Sequence, residues 1–186
     1  MPKTVYNTAT TINGFLADEN DSLSWLFEVN QKDDNDGFAR FLAGIGAMCM
    51  GSTTYEWVLR EEKLLEKPER WQEFYGERPT WVFTHRQLPA IPGADIRFAS
   101  GDVGPVHDEM VAAAGERDVW IAGGGELVGQ FADQGRLDEL RFSVAPVTLT
   151  GGAPLLPRRL TASRLELVSV NRNGQFAELT YRVMNA

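Results

Sequence analysis

The sequence has few of the residues that build metal centres and disulfides. It contains one cysteine, Cys49, and two histidines, His85 and His107. A single cysteine cannot form an internal disulfide, and no pair of these residues has the spacing of a zinc site. Cys49 follows Met48 in an apolar run, where we expect a buried, unreactive thiol. We therefore expect no metal, and we expect a protein of the reducing cytoplasm.

Long hydrophobic runs and an excess of positive charge are also missing. No stretch approaches the ~20 apolar residues of a membrane span, and no signal-peptide pattern opens the chain. The 26 acidic residues outnumber the 18 basic ones, and the net charge of −8 would repel a polyanion. We therefore expect neither a membrane nor nucleic acid as a partner. The 186 residues, 43% of them hydrophobic, are enough for one core, and we predict a single domain over residues 1–186.

Three common site motifs are absent as well. No Gly-x-Gly-x-x-Gly follows the first predicted strand, and no Gly-Lys-Ser/Thr loop occurs, which disfavours an ordinary Rossmann domain and a P-loop. The segment Gly51–Tyr55 reads Gly-Ser-Thr-Thr-Tyr and lacks the second glycine of a nucleophile elbow. A serine hydrolase is therefore disfavoured too.

What the sequence does contain is a junction of strand, glycines and helix at Asp118–Val128, which reads Asp-Val-Trp-Ile-Ala-Gly-Gly-Gly-Glu-Leu-Val. Glycines let a ligand approach the backbone, and the first N–H groups of a helix have no intrahelical partner. Together they suit a phosphate. The alternative is a glycine turn that only connects the strand to the helix.

A second junction of this kind begins after the predicted strand Ala47–Met50. There Gly51 is followed by Ser52, Thr53 and Thr54, whose hydroxyls either cap the next helix or face a ligand.

A further predicted strand, Thr80–Thr84, is followed directly by His85 and Arg86. The carboxyl ends of strands face the ligand crevice in open α/β sheets. Arg86 is therefore a candidate for a phosphate and His85 for a contact with a ring. A plain surface cation is the alternative for Arg86.

The amino-terminal segment predicts a strand and a lid. Thr4–Thr11 is rich in β-branched residues and ends before the turn signal Asn13-Gly14. Its polar side chains are satisfied by neighbouring strands or orient a ligand. The irregular loop after this turn carries Trp25 as one large apolar anchor, as lids over sites often do.

The remaining elements predict the fold class. Phe38, Phe41, Leu42 and Ile45 predict a helix with N-cap candidates at Asp33–Asn35. Strands and helices then alternate, which indicates a largely parallel sheet with helices on both faces. The further predictions are a solvated helix end and loop at Glu61–Arg78, strands at Asp95–Phe98, Asp138–Val147, Leu165–Arg172 and Gln175–Met184, a helix at Pro105–Ala114, and a hairpin at Asn173-Gly174 that buries Ala177, Leu179, Tyr181 and Val183.

Several segments, in this order, resemble one family. They are Thr11–Ala17, Met50–Glu56, Ile121–Leu127, Leu137–Leu140, and Pro146 followed by Gly151–Leu155. Together they resemble dihydrofolate reductase-like proteins, and most of all the reductase domain of the bifunctional riboflavin-biosynthesis protein and its stand-alone bacterial homologues. The resemblance implies an α/β, three-layer fold with a mostly parallel central sheet, helices on both faces and an antiparallel carboxyl-terminal hairpin.

The resemblance also implies an activity, namely NADPH-dependent hydride transfer to a small heterocycle of the pterin or aminopyrimidine kind. The positions that match the family's cofactor-binding segments are Gly51, Ser52, Thr53, Thr54, Thr84, His85, Arg86, Gly123, Gly124, Gly125, Glu126 and Leu127. Arg86 is expected to receive the 2′-phosphate. The positions that match the strand and loop beside nicotinamide and substrate are Asn7, Asn13, Leu16 and Trp25.

The chain departs from the family's pattern at three places. Ser52 stands where the family commonly has arginine, and Asn13 stands where riboflavin-type relatives have aspartate. An amide cannot relay a proton as a carboxyl group can. The helical acid of dihydrofolate reductases has no clear match, although Asp33, Asp34 and Asp36 lie in that region. We therefore assign no catalytic residue, and a binding module without turnover is the alternative function.

The carboxyl-terminal third suggests self-association. Phe142, Val144, Val147 and Leu149 are apolar residues on long segments that no later helix is available to cover. An uncovered apolar sheet requires a partner, and the resemblance implies a dimer. We predict a homodimer with these strands at or near the interface; a sheet closed by its own hairpin is the alternative.

Overall fold

A computed structural model describes residues 1–29 and 36–184. Its strands are β1 (Thr4–Thr11), β2 (Phe15–Ala17), β3 (Ile45–Gly51), β4 (Thr80–Phe83), β5 (Ile96–Ala99), β6 (Asp118–Gly123), β7 (Glu139–Ala145), β8 (Ala153–Pro154), β9 (Leu165–Asn173) and β10 (Phe176–Val183). Its helices are α1 (Ser24–Phe27), α2 (Gly37–Ala43), α3 (Ser52–Glu61), α4 (Glu69–Tyr75), α5 (Val103–Ala114) and α6 (Gly125–Asp133), with a short 3₁₀ turn at Ala162–Arg164.

Within these ranges, eight strands form one sheet in the order β5-β4-β3-β6-β1-β7-β10-β9. Neighbouring strands are parallel from β5 to β7, whereas β10 runs antiparallel to both β7 and β9. The strands β2 and β8 form a separate antiparallel pair. This architecture confirms the predicted α/β class with a mostly parallel sheet and an antiparallel carboxyl-terminal hairpin.

Two hydrophobic layers cover the central strands. Side chains of α5 and α6 pack on one face around Ile121, and side chains of α2, α3 and α4 pack on the other around Met48. Strands β3 and β6 are therefore buried on both faces, which is why they read as nearly continuous apolar runs rather than as alternating patterns.

The helices after β3 and β6 determine where a ligand site can form. The two strands are parallel neighbours, yet α3 packs on one face of the sheet and α6 on the other. A crevice consequently opens where the two chain segments leave the sheet. In open α/β sheets such a switch point at the carboxyl ends of the strands is the usual ligand-binding position.

Two predicted helical assignments differ from the structure. Ile45 is the first residue of β3 rather than part of the preceding helix, because α2 ends at Ala43 and the next residues enter the buried sheet. The charged segment Glu61–Arg78 contains a separate helix, α4, where the sequence predicts a solvated helix end and a loop. Its Trp71 is buried in the second core layer, and this tertiary contact outweighs the charge of the flanking residues.

The predicted buried face of the hairpin is only partly correct. Val183 is buried, and Tyr181 and Leu179 are half-buried, but Ala177 is exposed because the layer of α6 does not extend to this end of the strand. The predicted N-cap residues Asp33–Asn35 lie outside the described residues.

Some polar residues of β1 form hydrogen bonds that stabilise the fold, and others line a cavity. Thr10 Oγ1 donates to the carbonyl of Phe15 at 3.1 Å, and Thr11 Oγ1 accepts from the Phe15 N–H at 3.0 Å. These hydroxyls tie β1 to the start of β2. Thr8 and Asn7, in contrast, line cavities described below. Within the described ranges, no helix is long and apolar enough to cross a membrane.

One glycine fixes the packing of β3 against α5. A Cβ atom on Gly46 would lie 2.5 Å from the carbonyl oxygen of Ala114 and 2.7 Å from its Cα. We predict that Gly46→Ala lowers the free energy of unfolding by about 1–3 kcal/mol, because helix backbone must move to admit the methyl group. Urea denaturation followed by circular dichroism measures this value.

The neighbouring Gly44 provides the matched control. A Cβ there would be 3.5 Å from the nearest atom, and its φ of −83° suits alanine. Gly44→Ala should change the unfolding free energy by less than about 1 kcal/mol. Equal losses in the two variants would contradict the packing explanation.

Candidate active site

A cavity of about 810 Å³ opens at the carboxyl ends of β3, β4, β5 and β6. It is bounded by the starts of α3 and α6 on one side and by the segment Leu16–Leu26 on the other. Its lining is Thr8, Ala9, Leu16, Ala17, Asp21, Leu23, Trp25, Leu26, Gly51, Ser52, Thr53, Thr54, Trp57, Phe83, Thr84, His85, Arg86, Ser100, Gly101, Ala122, Gly123, Gly124, Gly125, Glu126, Leu127, Gln130, Ala153, Pro154 and Pro157. All twelve predicted cofactor-binding positions are therefore in one place, together with Leu16 and Trp25.

Two helix starts lie side by side in this cavity. Gly51 is the N-cap of α3 and Gly124 is the N-cap of α6, and both have extended backbone. A Cβ on Gly51 would be only 3.8 Å from the amide nitrogen of Gly124, so the two junctions touch. Because the first N–H groups of each helix have no intrahelical acceptor, two positive dipole ends meet here. This arrangement suits an anionic ligand.

The hydroxyl residues at the start of α3 are not its caps. The helix begins at Ser52 and Gly51 takes the N-cap position, so the alternative in which Ser52 or Thr53 caps the helix is not realised. Both side chains line the cavity instead. They add polar groups to the backbone donors of the two helix starts.

The three glycines of the second junction have different roles. Gly123 has φ of +134°, a conformation that favours glycine. Gly125 packs so closely against β8 that an added Cβ would lie 2.5 Å from the carbonyl oxygen of Leu155. Gly124, in contrast, has nothing within 4 Å of its Cβ position. The central glycine therefore faces open cavity, and its neighbours hold the turn in place.

Arg86 lies at the end of β4, but its guanidinium group has a partner. Nη1 and Nη2 donate to the two carboxylate oxygens of Glu56 on α3, at 3.0 and 2.6 Å. Thr84 fixes this turn, because its Oγ1 accepts from the Arg86 N–H at 2.9 Å. His85, between them, is exposed and lines the cavity.

The carboxylate of Glu126, in the first turn of α6, is also paired. Arg158 donates to both its oxygens, at 3.0 and 2.7 Å, and reaches Asp133 at 2.8 Å through Nε. These hydrogen bonds hold the pKa of Glu126 below its ordinary value and raise that of Arg158. An acidic side chain thus lies beside the helix start with its charge matched by a cation.

The segment over the cavity carries aromatic residues. Trp25 is buried, and its indole N–H has no hydrogen-bond partner among the described residues. The ring of the exposed Phe27 stacks on Trp57 of α3, with centroids 6.5 Å apart and planes 14° apart. This stack joins the short helix α1 to the wall of the cavity that α3 forms.

A second concave surface, of about 840 Å³, adjoins the first. The two share Thr8, Ala9, Leu26 and Ala122. The second is more polar, and the ionic side chains in its lining are Lys3, Arg40, Glu139, Arg141 and Glu178. Asn7 belongs to this surface rather than to the first cavity.

Asn13 lies in neither cavity. Its Nδ2 donates to the carbonyl of Leu149 at 2.6 Å, and its Oδ1 accepts from Thr11 Oγ1 at 2.9 Å and from the Leu149 N–H at 3.2 Å. These bonds attach the β1–β2 turn to the segment after β7. The structure therefore gives Asn13 a local structural role and does not bring it to the other predicted site residues.

Comparison with known proteins assigns the family. The sequence profile described as the RibD C-terminal domain matches residues 2–176. The chain belongs to the RibD C-terminal domain family. The uncharacterized protein YwjB of Bacillus subtilis is 29% identical over 179 residues, which cover 96% of this chain and 97% of that relative.

Solved structures give the fold of this RibD C-terminal domain. A putative riboflavin biosynthesis protein from Shewanella sp. PV-4 has a TM-score of 0.78 at 21% identity, and the match covers 100% of both chains. Dihydrofolate reductase from Enterococcus faecalis, solved as a complex with NADP(H), has a TM-score of 0.59 at 15% identity, and the match covers 98% of this chain and 97% of that one. The predicted dihydrofolate reductase-like fold is confirmed, and membership of the family supports a reductase-type function.

The RibD C-terminal domain also brings unpredicted residues to the cavity. Ser100 and Gly101 follow the end of β5, and the strand-end rule that selected Arg86 would have selected them too. Trp57 and Gln130 lie further along α3 and α6, where the sequence pattern gave no sign of a ligand-facing side chain. Arg158 and Glu56 act by pairing with cavity residues, and such pairings cannot be read from spacing.

The close contact at Gly125 gives a prediction. We predict that Gly125→Ala lowers the free energy of unfolding by about 1–3 kcal/mol. The added methyl group would displace the backbone carbonyl groups of Pro154 and Leu155, which are held in β8 and directly after it. Urea denaturation of the purified variant and of the unaltered protein measures the difference in their free energies of unfolding.

Gly51→Ala is its control at the other junction, where an added Cβ would have ordinary contacts at 3.8 and 3.9 Å. Its loss of stability should stay under about 1 kcal/mol, the size of a changed N-cap. A Gly125→Ala protein as stable as Gly51→Ala would show that β8 does not constrain the glycine turn.

Proposed function

We propose that this protein is an NADPH-dependent reductase that transfers a hydride to a small heterocycle of the pterin or aminopyrimidine kind. The observation that carries the proposal is the contact between the two helix starts, whose N-cap residues Gly51 and Gly124 have no side chain to cap the helix. They supply backbone donors from two directions to a space where a Cβ on Gly124 would have none of the described atoms within 4 Å. A cofactor's pyrophosphate is an anion that such a site suits.

The cavity also fits the rest of a dinucleotide. Its volume of about 810 Å³ is within the ~300–1,000 Å³ usual for ligand sites. We assign the pyrophosphate to Gly51–Thr54 and Gly123–Leu127, and the adenosine with its 2′-phosphate to Thr84–Arg86. The dihydrofolate reductase of the same fold was solved with NADP(H), which supports a cofactor of this class as the ligand.

The substrate is assigned to the region where the two concave surfaces meet. The shared lining residues are small or apolar, which suits a flat ring beside Trp25 and Leu26. The more polar second surface, with Asn7 and Arg141, would take hydrogen-bonding substituents of the heterocycle. When bound, NADPH supplies the hydride, and the chain's residues orient the two rings and exclude water.

Titration with NADPH tests the proposal. We expect saturable quenching of tryptophan fluorescence below about 1 mM NADPH, since Trp25 and Trp57 line the cavity. With a panel of pterins and aminopyrimidines, at least one compound should accelerate the loss of NADPH absorbance over a reaction without heterocycle.

Two other outcomes would contradict this function. No response to about 1 mM NADPH would remove the cofactor assignment. Saturable binding of a heterocycle with no oxidation of NADPH across the panel would instead favour a binding module on the same fold.

We further propose that the protein acts as a homodimer through the β7-β10-β9 end of the sheet. Phe142, Leu179 and Val170 pair across these three strands and so lie on one face. Val170 on β9 is 60% exposed, and Leu167 on the same strand is 53% exposed. An apolar row on an edge strand is a surface that a second copy of the chain would cover.

Sedimentation equilibrium at micromolar concentration tests the dimer. We expect twice the 20.7 kDa mass of one chain for the unaltered protein. Val170→Lys should give the single-chain mass, because a charge would be buried in the contact. Asn171→Lys, an adjacent exposed position that pairs on the opposite face, should remain dimeric. A single-chain mass for the unaltered protein would refute the dimer.

A further inference from the structure

We propose that Glu56 determines cofactor preference, because its carboxylate competes with the 2′-phosphate of NADPH for the guanidinium group of Arg86. The competition narrows the preference for NADPH over NADH that Arg86 alone would give. This inference rests on the proposed function, since it takes a nicotinamide dinucleotide as the ligand of the first cavity. It adds a residue, Glu56, that lies outside the cavity lining and that the sequence did not place among the cofactor-binding positions.

The Glu56–Arg86 pair joins two different elements of the site. Glu56 is in the second turn of α3, and Arg86 follows β4. The carboxylate and guanidinium meet in a two-point contact of 3.0 and 2.6 Å. Two-point pairing of this kind fixes orientation as well as distance. The Thr84 hydroxyl, bonded to the backbone of Arg86, keeps the turn from which the side chain extends.

Arg86 has no cationic substitute among the described residues that line the cavity. Among the described residues that form its lining, Arg86 is the one lysine or arginine. Another arginine, Arg158, lies beside α6 but outside this lining, and it forms ion pairs with Glu126 and Asp133. Recognition of a 2′-phosphate by side-chain charge therefore depends on the cation that Glu56 already binds.

The pairing opposes a phosphate in two ways. A guanidinium group has five N–H donors, and Glu56 occupies one on each terminal nitrogen. An incoming phosphate, with a charge of about −1.5 to −2 at pH 7, must displace the carboxylate or share the cation with it. Sharing leaves two anions close together, and displacement breaks two charged hydrogen bonds. Both routes reduce what Arg86 contributes to NADPH binding.

NADH does not meet this opposition. Its adenosine ribose carries a neutral hydroxyl in place of the phosphate, and a carboxylate accepts a hydrogen bond from such a hydroxyl. Glu56 is thus unfavourable for one cofactor only. The ratio of the two dissociation constants reports the effect, whereas either constant alone would also reflect changes elsewhere in the cavity.

The experiment measures dissociation constants for NADPH and NADH by tryptophan fluorescence in the unaltered protein and in Glu56→Gln. The amide keeps the shape of the side chain and removes its charge. We expect the preference for NADPH over NADH to rise roughly three- to tenfold, the range of one partly exposed charged contact. Glu61→Gln is the matched control, since it makes the same change on the same helix at a carboxylate whose partner is Arg60. It should leave the ratio unchanged.

A double-mutant cycle separates competition from simple repulsion. Arg86→Ala should weaken NADPH binding more in the Glu56→Gln background than in the unaltered protein, because Arg86 is then free to serve the phosphate alone. Repulsion between Glu56 and the phosphate cancels in this comparison. Equal effects of Arg86→Ala in both backgrounds would overturn the competition.

The outcomes distinguish this inference from the proposed function. If both cofactors bind but Glu56→Gln leaves their ratio as it is in the unaltered protein, Glu56 has no part in selection and the reductase assignment stands. If neither cofactor binds, the proposed function fails and the inference fails with it. Should Glu56→Gln melt below the unaltered protein, Glu56→Ala, measured at a temperature where both are folded, repeats the comparison.

Discussion

The site depends on one topological constraint, namely that two buried parallel strands end side by side and send their helices to opposite faces of the sheet. Because β3 and β6 are hydrogen-bonded neighbours, Gly51 and Gly124 come within contact distance. The backbone donors of two helices are therefore concentrated in one crevice, and the other residues of the cavity are arranged around them.

Charge is distributed around this crevice in matched pairs. The chain carries a net charge of −8, yet two carboxylates on the helices that begin at the crevice are held by arginines, Glu126 by Arg158 and Glu56 by Arg86. Each pairing matches the charge of one carboxylate, so neither pair adds net negative charge beside the helix starts. The two pairs differ in position. Arg86 is part of the cavity lining, whereas Arg158 lies outside it.

The amino-terminal strand links the site to the antiparallel end of the sheet. Residues of β1 face the first cavity, the second surface and the turn at Asn13 within a few positions of one another. Thr8 and Ala9 line both concave surfaces, and Asn7, just before them, belongs to the second. The same strand pairs with β7, whose other neighbour β10 begins the hairpin that we propose as the dimer contact. The proposed substrate site and the proposed interface therefore share one structural support.

Local pattern in the sequence determined much of this protein. The apolar runs of β3 and β6, their glycines and the Asn173-Gly174 turn predicted the sheet, both junctions of strand, glycine and helix, and the hairpin, because each is specified by residues close together in the chain.

Tertiary structure alone decided the contacts between distant segments. It buried Trp71 in a charged stretch, engaged Asn13 with Leu149, and paired Arg86 with Glu56 across 30 residues. These outcomes depend on which side chains meet after the sheet has formed. Spacing along the chain predicts which residues share a helix or strand. It does not predict which residues of distant segments come into contact when those elements pack.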